Sequence, residues 1–244
     1  MARTNTNAEL WKALSQFGKM VDSTGSVLST TLSSSEAEGQ TTISVVSTTN
    51  ASSNDYIRVG ASGSMDVAQI ETNTTVAITL KSQLAYSHAS GATVKELTRV
   101  DLGDLSDDGV DETVTHDRTA INVATRRHTY DYDTAHTDYQ VTVALENLSD
   151  QNRLAVVGIA DSNLHGAGTT ADPQVADWTP ADIDTENPVH FWARGTLGNG
   201  NTVEVQWWDC RVDASKSSKF ARGQDAPHTL VFNAQHIRWL NPVS

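Results

Sequence analysis

The chain has 244 residues, with Lys+Arg 17 against Asp+Glu 30 and a formal net charge of −13. That sign excludes an ordinary nucleic-acid binder, which needs a basic surface to displace counterions. The single cysteine, Cys210, excludes an internal disulfide or a cysteine-built zinc site. No window approaches the roughly 20 apolar residues of a membrane span, and the first residues lack the basic-then-apolar pattern of an export signal. The bases divide into 11 Arg and 6 Lys, the acids into 21 Asp and 9 Glu. Short, strongly hydrated Asp in excess over few Lys suits solubility in concentrated salt, where screening removes self-repulsion. A halophilic host is one expectation; an ordinary acidic surface is the other.

In chain order, AELWKALSQFGKM at 8–20 sets Leu10, Leu14 and Phe17 at helical spacing with Trp11 adjacent, predicting a short amphipathic N-terminal helix within 1–25. Such a helix either packs on its own domain or docks on a neighbouring subunit. Between about Leu28 and Leu97 come the short alternating runs TTISVV, YIRVG, MDVAQIE, TVAITL and ATVKEL, split by Gly, Asn and Ser clusters. They predict a small all-β module over 26–97, with Asn73-Thr74 as a hairpin tip. The acidic DLGDLSDDGVDE at 101–112 reads as a linker.

The remainder, 98–244, predicts strands at 119–130 and 138–148, then a helix capped by Ser149-Asp150 with Leu154 and Val157 on its buried face. A loop follows from Ala160 to Pro188, in which Trp178 is the one large apolar residue, and a loop of that length points to function or an interface. Strands are predicted again at 189–197, 202–213 and 229–239, the first two joined by a Gly- and Asn-rich hairpin turn at 197–201. In TVEVQWWDCRVD the alternation changes phase between Trp207 and Trp208. A β-bulge there keeps the apolar residues on one face and leaves Glu204, Gln206, Asp209, Arg211 and Asp213 on the other, as in a sheet lining water or a channel.

No catalytic constellation emerges. GxSxG, HExxH, a P-loop and a strand-to-helix GxGxxG are all missing, so neither a catalytic residue nor a cofactor is expected. Asp104, Ser106 and Asp108, followed by Gly109, imitate the opening of a calcium loop, but Thr115 stands where its closing Glu belongs, which favours a solvated segment over a metal site. His88, His128 and His190 fall beside or within strands, where a satisfied structural histidine is the common outcome. Trp192, Trp207, Trp208 and Trp239 suit either core packing or a sugar-binding platform.

The succession of an N-terminal helix, DYQVTVALENLSDQNRLAVVGI running from strand into helix, a long loop, the hairpin PVHFWARGTLGNGNTVEVQWWDCRVD and the closing TLVFNAQHIRW resembles the tail tube proteins of long-tailed viruses over residues 1–25 and 98–244. The 26–97 segment is similar to small β modules carried by structural proteins of such viruses. The resemblance implies a mainly β protein: a tail-tube-like β-sandwich or barrel with a flanking short α-helix, plus the small all-β module as outer decoration. It further implies six copies closing into rings that stack into a tube in the virion tail, assembled in the host cytoplasm. The other implied partners are tape-measure, terminator and baseplate components, with DNA passing through unbound. On this reading Glu204, Asp209 and Asp213 face the lumen. Leu10, Trp11, Leu14, Phe17, Arg126, Arg127 and Trp178 are the inter-subunit candidates. Other viral structural proteins, such as a head-decoration, terminator or baseplate component, share this texture, and a carbohydrate-binding or adhesion module is a reading from a different class.

Overall fold

Leu14–Asp22 forms a β-strand, β1, where the sequence predicts a helix, and among the described residues of that stretch 11–13 are helical. The three-residue spacing that imitates a helix arises from register slips against both neighbours of β1, one between Leu14 and Gln16 and one between Phe17 and Gly18. With the slips, Leu14 and Phe17 both reach the same core. The computed structural model describes residues 11–121, 131–146, 164–165, 175–176, 189–212 and 228–240. Leu10, Arg126, Arg127, Trp178, Asp213, His128 and the helix expected after Ser149 lie outside them.

Five short strands follow: β2 (Ser29–Thr31), β3 (Thr42–Ser44), β4 (Tyr56–Val59), β5 (Asp66–Asn73) and β6 (Ala77–Leu80). β3 to β6 coincide with four of the alternating runs, the fifth run opens β7, and β2 falls outside all of them. Thr74 N–H donates to the Ala77 carbonyl at the predicted hairpin tip (2.8 Å). Next come β7 (Thr93–Ile121), β8 (Asp131–Leu145), the two-residue pair β9 (Leu164–His165) and β10 (Val175–Ala176), then β11 (Val189–Thr196), β12 (Thr202–Val212), β13 (His228–Asn233) and β14 (His236–Leu240). The single predicted strand at 229–239 is thus β13 and β14, broken at Ala234-Gln235.

The acidic segment 101–112 is part of β7, not a linker. Gly103 and Gly109 take positive φ (123° and 62°) and let the strand bend there. Between Leu105 and Val110 its register against β8 slips, so the acidic residues sit on a bulge inside a strand. The strand is continuous because its two halves serve two different barrels.

Its N-terminal end pairs with β2 on one side and β4 on the other, and the ladder β4-β5-β6-β3 returns through a Leu32–Val45 bridge to the β2 side. Ile43, Ile57, Ile70, Ile78 and Val94 fill this module. The rest of β7 pairs with β1 and β8, and the sequence β1-β11-β12-β13-β8-β7 closes on itself through the β1–β7 pairing. Phe17, Phe191, Val205, Trp207 and Phe232 fill that second, larger barrel, with Phe191 and Phe232 centroids 4.6 Å apart. Closure removes the edges that an open sheet would expose. Gly195 is required where β11 passes β1, because a Cβ there would collide with the Ala13 carbonyl.

Candidate functional site

β12 carries a bulge as predicted, but one residue later than the expected break between Trp207 and Trp208, so Trp208 does not join the other apolar residues on the core face. Phe191 pairs with Trp207 and Val189 with Cys210, so one extra residue of β12 bulges opposite His190. Asp209 takes φ 53° within that bulge, a conformation Asp tolerates better than bulkier residues. Trp207 therefore points into the barrel while Trp208 points out, where Met20, Val67, Leu97 and Trp192 bury it completely. This third core joins the small module to the barrel wall.

Glu204 (6% exposed), Gln206 (1%) and Asp209 (4%) lie on the same covered face. The expectation that Glu204 and Asp209 face a lumen is corrected: alternation along β12 identifies a polar face, but the folded module covers it. Asp209 accepts hydrogen bonds from Ser62 Oγ (2.8 Å) and the Gly63 N–H (2.6 Å) of the module. Its own N–H donates to His190 Nδ1 (3.1 Å). Leu14 and Phe17 are likewise corrected as docking residues, since both are buried in the barrel's own core. Trp11 is partly buried against it, edge-on to Trp239 at 4.5 Å. Of the four tryptophans expected to form either core or a sugar platform, three are core residues, Trp207 and Trp208 fully buried and Trp192 nearly so, while Trp239 is half-buried. His88 and His190 are satisfied structural histidines, as expected. Among the described residues no group of three or more His, Cys, Asp or Glu is placed to hold a metal ion, Asp104 and Ser106 included.

Beside the shared core a cleft of about 410 Å³ opens between module and barrel. Tyr56 and Lys81 of the module face Arg99, Arg194, Glu204 and Arg238 of the barrel across it. Arg99 is held between two rings, 4.3 Å over Tyr56 and 4.6 Å over Trp192, and is ion-paired to Glu204. Gln206 Nε2 donates to the same carboxylate (2.6 Å). Burial, with Glu204 beside it, pushes the Tyr56 phenol up to about 12, so it is a neutral hydroxyl at working pH. Arg238 lies 4.3 Å over Trp208 and donates to Ser82 Oγ (2.7 Å) and to the Val67 and Gln83 carbonyls (3.0 Å each). Sequence spacing cannot find this cluster, because Tyr56 and Arg238 are brought together only by the packing of one barrel on the other.

A second feature is the far end of the β7–β8 hairpin. From Thr113 to Ile121, β7 pairs only with β8, and residues 131–138 of β8 pair only with β7, among the described residues. At about 3.4 Å per residue this two-stranded arm is roughly 30 Å long. Thr113, Val114, Thr115, Thr137 and Asp138 on it are exposed, Val114 at 52%.

Two ionisable groups of the barrel, one buried and one half-buried, oppose each other in pH dependence. Burial pushes His190 from its ordinary 6.5 down to about 4, the Asp209 carboxylate resisting and Arg58 assisting. Its contribution is fully present above pH 6.5 and is lost as pH falls toward 4, since only the unfolded chain takes up the proton there. Glu112 is pushed from 4.5 up to about 7, chiefly by burial and also by Asp111, with the Trp207 indole pulling the other way. The folded state then holds the extra proton, so stability declines as pH rises from 4.5 to 7. In the window the two share, the slopes have opposite sign. Measured as unfolding free energy relative to the parent, His190→Asn should gain steadily from pH 6.5 down to 4, by roughly 3 kcal/mol in total, with Tm following. Glu112→Gln should gain as pH rises from 4.5 to 7, by less, because its site is half solvated. Parallel Tm profiles for parent and variants would remove both assignments.

No protein-family model matches the chain, and no curated protein matches it.

Proposed function

We propose that this chain is a self-assembling structural subunit, the tube protein of a long-tailed virus, which closes into rings that stack around a conduit for DNA. The observation that carries the reading is the two-stranded arm, 113–121 with 131–138, which pairs with no third strand among the described residues, beside two barrels whose described strands close. A two-stranded hairpin is marginal in water, and an edge that no third strand covers is a template for pairing with another chain. A neighbouring copy that adds a strand to such an edge stabilises both, and the contact is heterologous, so it generates rings or filaments. The acidic surface that lets DNA slide then falls to exposed acids such as Asp101, Asp104, Asp107 and Asp111 rather than to Glu204 and Asp209. Tape-measure, terminator and baseplate proteins remain the partners this role requires, and the Asp-rich composition supports a halophilic host.

The test is negative-stain electron microscopy with light-scattering mass, in multimolar salt. Rings or tubes with a central channel are the expected result. A variant with residues 115–138 replaced by Asn-Gly keeps the barrel ladders and should run as a monomer. A full chain that stays monomeric at all salt concentrations, or a trimmed chain that still forms tubes, would overturn the proposal.

A further inference from the structure

The cleft between module and barrel is electropositive in a protein that is strongly acidic. Four of the chain's 17 Lys and Arg line it, and Glu204 is the one acid in its described lining. Chance does not favour that arrangement where acids outnumber bases 30 to 17. Packing alone accounts for part of it: Arg99 is neutralised by Glu204, and Arg238 has the buried Asp66 carboxylate 3.6 Å away. Lys81 and Arg194 remain. Lys81 Nζ has only a neutral partner, Asn54 Oδ1 at 2.7 Å, and exposed Arg194 has no ion pair among the described residues. Arg99 Nε is buried without a hydrogen-bond acceptor, and a buried charged donor left so is costly unless something supplied from outside accepts from it.

We propose that this cleft binds a small multivalent oxyanion, a molecule bearing two or more carboxylate or phosphate groups. Arg194 and Lys81 supply the uncompensated charge. Arg99 and Arg238 are already fixed by stacking and by their partners, so little side-chain entropy is lost on binding. The volume of about 410 Å³ falls within the range of small-molecule clefts. Because the walls come from both barrels, an occupant ties module to barrel and stabilises the folded chain by mass action. The inference stands whether or not the chain assembles into rings.

The experiment is thermal unfolding of the whole protein and of Lys81→Ala/Arg194→Ala, in citrate and succinate, in phosphate and pyrophosphate, and in chloride at matched ionic strength. Kosmotropic anions raise Tm generically by exclusion from the surface, so the variant is the essential control. Saturating ligand should raise the parent Tm by several degrees more than the variant's, and calorimetric titration should show at least a tenfold weaker Kd for the variant. A carboxylate-only or a phosphate-only response identifies the group bound. Equal shifts in parent and variant, or no shift beyond chloride, would overturn the proposal.

Discussion

Asp66→Ala is expected to destabilise the protein by about 3–5 kcal/mol, the range seen when one partner of a buried ionic cluster is removed. Asp66 is fully buried at the start of β5. Its carboxylate accepts from the Ala85 and Tyr86 N–H groups (2.8 and 3.0 Å) and from His88 Nε2 (3.0 Å), and Arg238 of the barrel approaches to 3.6 Å. A carboxylate can only accept, so Nε2 carries the hydrogen. Truncation leaves three donors and a cation without their shared acceptor, while the 82–88 segment loses the group that shapes it. His88 has no room to turn toward another partner, because its ring lies against Gly60, where even a Cβ would clash. At this chain length the loss corresponds to roughly 10 °C in Tm. His88→Ala should be milder, and the double variant should fall short of the sum by about 1 kcal/mol or more, since both act on one network. Additive losses would mean that the cluster is not a unit.

The same cluster shows which parts of the fold a sequence carries openly. Strands β4, β5, β6, β11 and β12 alternate with period two, and their turns hold the Gly and Asn that positive φ demands, so local chemistry alone marks them. A bulge in β12 is legible, but its place is not: the phase break points to one between Trp207 and Trp208 that keeps both on the core face, whereas the extra residue lies at Trp208-Asp209 and Trp208 faces outward. β1 is not legible as a strand: its two register slips turn a period of two into apparent helical spacing at Leu14 and Phe17. Nor is β7, whose acidic bulge resembles a linker until both of its barrels are seen. The polar face of β12 marks the general limit. Glu204, Gln206 and Asp209 alternate as a solvent-facing row would, and what covers them is module residues far away in sequence, such as Ser62, Gly63 and, through Arg99, Tyr56. Period identifies faces; only tertiary packing decides whether a face meets water. The cationic cleft belongs to the same class, assembled from single residues on five strands and the start of the 81–88 segment.

Excising the module, residues 26–97, and closing the gap with a short Gly/Ser bridge should abolish the soluble folded barrel. As an independent outer decoration, the role expected from the sequence, it would be dispensable. The connection itself can close, since Asp22 and Leu97 are opposite one another in the β1–β7 ladder. What the excision destroys is the third core. Trp208, Met20 and Trp192 would lose Val67 and Leu97 as cover. A tryptophan of this kind buries about 150–250 Å², and at about 25 cal/mol per Å² its re-exposure alone costs roughly 4–6 kcal/mol before relaxation. His236, stacked on Trp208 at 4.5 Å, and Arg238 retain part of that cover. Arg238 in turn loses Val67, Ser82 and Gln83, while Asp209 loses Ser62 and Gly63. Losses of this size match the whole stability of an ordinary domain. The excised chain should therefore bind a hydrophobic dye and lack a cooperative thermal transition. Adding Met20→Thr and Trp208→Thr, which suit an exposed β surface, should recover part of its solubility, showing that uncovered apolar area rather than a broken connection is the cause. A soluble excised chain with a sharp transition near the parent Tm would instead make the module a separable ornament, and the shared core a contact of little energetic weight.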